Sequence, residues 1–119
     1  MGGASIVSHG GKSIIFVDFK NCDEKQSISV IAEGVKLIRV QPEKSALVLC
    51  DFTNASHAPQ LLQPYRDFVG GNSPYVKASA ILGLTGMARV LYDGVTKLAG
   101  RSIPAFDEGD QAKDWLIAK

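Results

Sequence analysis

The sequence lacks the signals that mark membrane, exported and nucleic-acid-binding proteins. Its 119 residues carry 13 Lys and Arg against 12 Asp and Glu, so the formal net charge is +1. A balance this even offers no electrostatic attraction for nucleic acid. No apolar run approaches the roughly 20 residues that span a bilayer, and the N-terminus has neither the basic start nor the apolar core of a signal peptide. We therefore expect a cytoplasmic protein with no membrane span and no nucleic-acid partner.

Motifs for metal, phosphate and nucleophilic chemistry are also missing. No Cys-x-x-Cys or His-x-x-x-His pair supplies the short spacing of a metal site. The two cysteines, Cys22 and Cys50, should be thiols rather than a disulfide in the cytoplasm. No glycine-rich phosphate motif and no Gly-x-Ser-x-Gly elbow is present. The sequence therefore predicts no catalytic residue, no metal and no cofactor.

What the sequence does contain is the composition of one globular domain. Hydrophobic residues make up 45% and charged residues 21% of the chain, which is typical of ordinary folded proteins. A chain of this length builds one core rather than two. We expect a single domain over residues 1–119, with residues 1–4 disordered.

Strand-like and helix-like segments alternate along the chain. The Gly10-Gly11 pair between two extended runs predicts an antiparallel hairpin, because glycine accepts the positive φ of a tight turn. Pro104 predicts an edge position for the last strand, because proline cannot donate to a ladder. Four strand-to-helix units follow the turn, with strands around residues 13–17, 45–50, 75–84 and 102–106. This order predicts an α/β fold with a mixed sheet of about five strands and four helices.

The start of the first helix has two competing caps. Asn21 with Glu24 and Asp23 with Gln26 each fit the capping box, in which two side chains satisfy backbone amides at the helix start. Helical spacing predicts an inner face made of four apolar residues: Ile28, Ile31, Val35 and Ile38.

The second helix also has two possible starts. Ser56 would cap an early start, and Pro64 would then lie inside the helix and kink it. A late start near Pro64 removes that conflict. The sequence leaves both arrangements open.

The loops after the strands hold most of the polar side chains of interest. The carboxyl ends of parallel strands lie together, and ligand sites form there. Ser56 and the adjacent His57 do not normally face each other, so they do not form a nucleophile and base. We predict a binding surface, named the loop edge, composed of Asp18, Asp51, Thr53, Asn54, Ser56, Thr85 and Gly86.

Three stretches carry a family resemblance: GKSIIFVDF (11–19), NSPYVKASA (72–80), and FDE with AKDWL (106–116). Together with the order of elements, they resemble the STAS fold of sulfate transporters and anti-sigma-factor antagonists. Within that fold they look like the small bacterial SpoIIAA-like proteins, a group placed near the lipid-transfer CRAL-TRIO domains. The match covers the chain from about residue 9 onward and implies one STAS-like domain.

The resemblance implies a non-enzymatic regulatory module that binds an unidentified protein partner. Antagonists of this fold carry a phosphorylatable serine in an Asp-Ser-Ser-Gly pattern at the start of the second helix. Asp51 matches the Asp, whereas Phe52 replaces the first serine and Asn54 the glycine. Thr53 and Ser56 are therefore the candidate phosphorylation sites, and a phosphate on either is expected to be favoured by the helix N-terminus.

Two further functions remain open at this stage. Kinship with CRAL-TRIO domains implies the binding of an apolar small molecule or lipid, and a kink at Pro64 would leave a gap for it beneath the second helix. The other alternative is an enzyme whose site the sequence does not reveal. A homodimer is compatible with each of these functions.

Overall fold

The sheet contains five strands, four of which run parallel to one another. The structure, a computed structural model, describes residues 2–84, 89–90, 92–94, 97 and 103–119. The strands pair in the order in which they occur in the chain, and β1 is antiparallel to β2. They are β1 (Gly3–His9), β2 (Lys12–Asp18), β3 (Ala46–Asp51), β4 (Val76–Leu82) and β5 (Ala105–Phe106). The predicted α/β class, the N-terminal hairpin and the five-stranded mixed sheet are confirmed.

Helices cover both faces of the sheet. They are α1 (Glu24–Ile38), α2 (Leu62–Asn72) and α3 (Gly109–Ile117), and a 3-10 turn at Pro59–Leu61 leads into α2. Residues 89–90, 92–94 and 97 are also helical, and we call them the Tyr92 segment. Residues of α1, α2 and the Tyr92 segment share one core with the sheet, whereas α3 contributes to a second core on the opposite face.

The hairpin turn places two glycines at positive φ, with φ 56° at Gly10 and φ 80° at Gly11. The register between β1 and β2 continues without a shift from His9 opposite Lys12 to Gly3 opposite Asp18. Pairing with β2 therefore places Gly3 in the sheet, within the stretch 1–4 that was expected to be disordered.

The start of α1 follows the second of the two predicted caps. Asp23 Oδ1 accepts a hydrogen bond from the Gln26 amide at 2.7 Å, and Gln26 Oε1 accepts one from the Asp23 amide at 2.9 Å. Asn21 adopts a left-handed conformation with φ 58° in the preceding loop, so it cannot act as the cap.

The inner face of α1 is displaced from the predicted one. The prediction of Ile28 was wrong, because its side chain is 45% exposed. The buried residues of the helix are Ser27, Val30, Gly34 and Ile38. A Cβ on Gly34 would lie 3.0 Å from the Phe68 ring, so the missing side chain lets α2 approach α1 closely.

The late start of α2 is the one that occurs. The helix begins at Leu62, and Pro64 lies in its first turn, where the amide would have no partner within the helix in any case. Ser56 does not cap α2, since its Oγ accepts a hydrogen bond from the Ala58 amide at 3.3 Å in the preceding loop. Pro64 therefore produces no kink.

At the other end of the sheet, β5 is an edge strand of two residues. Pro104, directly before it, accepts a hydrogen bond from the Ile81 amide through its carbonyl at 3.0 Å. The edge position predicted from this proline is confirmed.

Candidate functional site

The two aspartates of the loop edge lie side by side at the ends of neighbouring strands. Asp18 closes β2 and Asp51 closes β3, and the parallel register pairs them directly. The Phe19 amide continues the ladder beyond the strand and donates to the Asp51 carbonyl at 2.8 Å. Asp18 Oδ1 accepts a hydrogen bond from the Lys20 amide at 2.9 Å. The sequence prediction that these aspartates share one edge is consistent with this geometry.

The loops after β2 and β3 are hydrogen-bonded to each other along their length. The Asn21 amide donates to the Thr53 carbonyl at 3.0 Å, and the Ser56 amide donates to the Cys22 carbonyl at 2.9 Å. The Asn54 side chain donates through Nδ2 to Asn21 Oδ1 at 2.9 Å. Both asparagines have positive φ, 58° and 54°, a conformation that asparagine tolerates better than most residues. The two loops therefore form one hydrogen-bonded unit.

Asp51 organises the turn that carries Thr53. Its Oδ1 accepts hydrogen bonds from the Thr53 amide at 2.9 Å and from the Thr53 hydroxyl at 2.6 Å. Aspartate commonly forms this kind of turn with the backbone two residues further on. The Thr53 hydroxyl is exposed, but it is already hydrogen-bonded to a carboxylate.

The loop after β4 touches the same unit through a glycine that the sequence analysis missed. Gly83 has φ 79°, and a Cβ on it would lie 2.7 Å from the Thr53 Cα. The Phe52 amide donates to the Leu82 carbonyl at 2.9 Å. Thr85 and Gly86, the remaining predicted residues of the loop edge, lie outside the described residues.

The structure thus brings Asp18, Asp51, Thr53 and Asn54 together, with Ser56 bonded to the adjoining loop. Asn21 belongs to the same surface, although the sequence analysis weighed it only as a helix cap. No periodic pattern marks Asn21 or Gly83, because each is set by a local backbone conformation.

The expected position of both candidate phosphorylation sites at the start of the second helix is wrong. Thr53 and Ser56 precede Leu62, the first residue of α2, by nine and six residues. The charge of a helix end acts over about one turn, so the dipole of α2 does not favour a phosphate at either hydroxyl.

Each aspartate of the loop edge is followed by a buried phenylalanine that anchors its loop. Phe19 and Phe52 stack with ring centroids 4.7 Å apart and planes inclined by 4°. Tyr65 meets both rings edge-on, at 5.7 Å and 5.5 Å. Tyr92 lies against Phe52 at 4.6 Å. Aromatic pairs of this kind add to the stability from burial, so they anchor both loops to the core.

A small cavity lies beneath α2, next to this aromatic cluster. Its volume is about 30 Å³, and its lining includes Cys50, Phe52, Tyr65, Phe68 and Tyr92. An apolar cavity that binds benzene is about 150 Å³. This cavity is therefore too small for a lipid chain, and Pro64, in the first turn of α2, produces no kink that would enlarge it.

Among the residues that the structure describes, the buried hydroxyls of Ser27, Tyr65 and Tyr92 have no hydrogen-bond partner at good geometry. Burial raises the pKa of Tyr65, while the nearby Ser27 and Tyr92 hydroxyls partly oppose that rise. Burial also raises the pKa of Tyr92 far above its ordinary value, and Tyr65 adds to the effect. Both tyrosines therefore stay neutral at any physiological pH.

In the part of the chain that the structure describes, the side chains that could supply a nucleophile, a base or a metal ligand do not lie together. Ser56 Oγ bonds to the Ala58 amide, and burial lowers the pKa of His57, whose ring lies 6.1 Å from that of Tyr92. Cys22 and Cys50 are buried thiols, and burial raises the pKa of Cys22. Within the described ranges, no group of three or more His, Cys, Asp or Glu side chains could hold a metal ion.

The helices that the structure describes are all too short or too polar to cross a membrane.

Comparisons of the chain with protein-family models, with curated proteins and with solved structures gave no significant match.

Proposed function

We propose that this protein is a non-enzymatic, STAS-like regulatory module that binds a protein partner through the loop edge. The observation that carries the proposal is the set of hydrogen bonds that locks the loops after β2 and β3 together. Loops that are hydrogen-bonded to each other before binding have less conformational freedom to lose, so more of the contact energy appears as affinity.

The chemistry of the surface also suits a protein partner. Thr53, Asn54 and Asn21 are exposed and polar, and Ile28, in the second turn of α1, is 45% exposed. Ile28 lines a shallow depression with Asp23 at the start of that helix. An apolar residue surrounded by polar ones is the usual composition of a protein interface.

Phosphorylation of Thr53 would act as a release signal in this proposal. The Thr53 hydroxyl donates to Asp51, and Asp18 is the register partner of Asp51. A phosphate would remove that donor and place about two negative charges beside two carboxylates. Repulsion between like charges would then open the turn and change the surface that the partner contacts.

The alternatives receive less support. Binding of an apolar molecule or lipid would need far more space than the cavity of about 30 Å³ beneath α2. Catalysis would need a nucleophile or a base in a concave site, and Ser56 is bonded to backbone rather than to His57.

Affinity capture from native cells, with the whole chain immobilised, tests the proposal. Wild type is compared with Asn54→Arg, which alters the loop edge, and with Ser13→Arg, an exposed position on the hairpin at the opposite end of the sheet. We expect a protein that wild type and Ser13→Arg retain and Asn54→Arg loses. If the same proteins bind all three baits, the loop edge is not the binding surface.

The gating step has its own pair of variants. Thr53→Gln and Thr53→Glu both remove the hydroxyl that donates to Asp51, but only the glutamate adds charge. We expect Thr53→Glu to release the captured protein more completely than Thr53→Gln. Equal retention by the two variants would argue against a charge-driven switch.

A further inference from the structure

The two edge strands of the sheet differ in how well they are protected against pairing with another chain. At one edge, β5 has two residues and follows Pro104. At the other edge, β1 has seven residues in unbroken register with β2. Short strands and prolines are the usual protection of a sheet edge, so β5 has it and β1 does not.

The hairpin turn determines which backbone groups of β1 face outward. With a two-residue turn, the residues flanking it, His9 and Lys12, exchange hydrogen bonds, and bonded pairs then alternate along the strand. The backbone amides and carbonyls of Val7 and Ser5 therefore point to β2. Those of Ser8, Ile6 and Ala4 point away from the sheet, and no described residue pairs with that side of β1.

The side chains of β1 do not discourage pairing either. The strand, GASIVSH, has no Asp, Glu, Lys, Arg or Pro, and it contains no bulge. Ile6, at its centre, is 54% exposed, and it lines a groove with Ile15, Pro42 and Lys77. An exposed apolar side chain thus lies at the middle of an open strand.

We propose that a second copy of this chain pairs with β1 in antiparallel fashion, about a two-fold axis at Ile6. Ile6 then lies opposite Ile6 of the partner subunit, and Ala4 lies opposite the partner's Ser8. By symmetry the Ala4–Ser8 pairing occurs twice, so the interface contains two pairs of small side chains and one apolar pair, and it brings no like charges together. Because the strand is complementary to itself, a second copy fits this edge, and the result is one sheet of ten strands.

The pairing is independent of the partner-binding proposal, but it has a geometric result for the loop edge. Antiparallel pairing reverses the direction of β2 and β3 in the second subunit. The two loop edges of the dimer therefore lie at opposite ends of the joined sheet, and each remains accessible.

Sedimentation velocity over a range of concentrations tests the dimer. Ile6→Lys places two ammonium groups at the two-fold axis, and like charges opposite each other weaken strand pairing. Val90→Lys is the matched control, since Val90 is 62% exposed in the Tyr92 segment, which follows β4 rather than β1. We expect a dimer for wild type and Val90→Lys, with a dissociation constant at least about tenfold higher for Ile6→Lys.

Cysteine variants test the register without disturbing the charge. Directly opposed, hydrogen-bonded residues have Cα atoms about 5.5 Å apart, within disulfide range, so Ile6→Cys should cross-link to its own copy under mild oxidation. Two Ser8 residues would lie about 13 Å apart along the strands, so Ser8→Cys should not. A wild-type chain that stays monomeric at all concentrations, or equal cross-linking of the two variants, would overturn the proposal. The proposal would also be overturned if the chain stayed monomeric and bound a different protein through β1.

Discussion

Gly11 and Gly83 provide a matched pair that measures how firmly the loops of the candidate site are interlocked. Their backbone conformations are nearly identical, with φ 80° at Gly11 and 79° at Gly83. A Cβ on Gly11 would meet nothing within 4 Å, whereas a Cβ on Gly83 would lie 2.5 Å from the Thr53 amide nitrogen and 2.7 Å from its Cα. Alanine at Gly11 therefore tests the backbone conformation alone. Alanine at Gly83 tests the same conformation together with close packing against Thr53.

The expected magnitudes follow from separate contributions. A left-handed conformation costs an L-residue about 1–2 kcal/mol, and the lower entropy of the unfolded alanine chain returns about 0.4–1 kcal/mol. Gly11→Ala should thus reduce the free energy of unfolding by at most about 1.6 kcal/mol. Gly83→Ala must also displace backbone atoms of Thr53, whose amide bonds to Asp51, while Phe52 bonds to Leu82. Losing both hydrogen bonds adds about 1–3 kcal/mol to the loss of stability expected for Gly83→Ala.

Urea unfolding followed by circular dichroism measures both variants against wild type. We expect the midpoint to fall further for Gly83→Ala than for Gly11→Ala, with the slope unchanged in each case. A difference between the two free energies of less than about 0.5 kcal/mol would be within the range of ordinary surface substitutions. That result would refute the conclusion that Gly83 is required by contact with Thr53.

Two further predictions concern the interior beneath the loops. Tyr92→Phe removes a buried hydroxyl that has no partner at good geometry among the described residues. The free energy of unfolding should therefore be unchanged or rise by up to about 1 kcal/mol; a loss of that size would show that the hydroxyl is bonded. Burial lowers the pKa of His57, so the unfolded chain binds more protons, and stability should decline as pH falls from about 6.5 through the lowered pKa. His57→Gln should reduce that decline, and an unchanged pH profile would contradict the assignment.

The elements of the fold were predictable because strands and turns leave strong local signals. The Gly10-Gly11 turn and the edge position of Pro104 follow from backbone chemistry, and both agree with the structure. The inner face of α1 was not predictable from spacing, because Ser27 and Gly34 are buried there in preference to Ile28. Close approach of a second helix decided that arrangement, and such contacts leave no periodic trace in the sequence.

The candidate site was also predictable only in part, because some of its residues are placed by strand ends and others by contacts between loops. The positions of Asp18 and Asp51 follow from the rule that parallel strands end together. The contributions of Asn21 and Gly83 depend on positive φ and on contacts between loops distant in sequence. The sequence could not decide whether α2 starts at Leu62 or near Ser56, because Pro64 is compatible with both arrangements.

The order of the strands has a consequence for how the protein folds during its synthesis. Each strand of the sheet lies beside the one that precedes it in the chain. No strand that the structure describes has to be inserted between two that have already paired, so the sheet can grow outward from the first hairpin as the ribosome releases each new segment. Every intermediate in that growth exposes one fresh edge, and the next strand to emerge is the one that covers it.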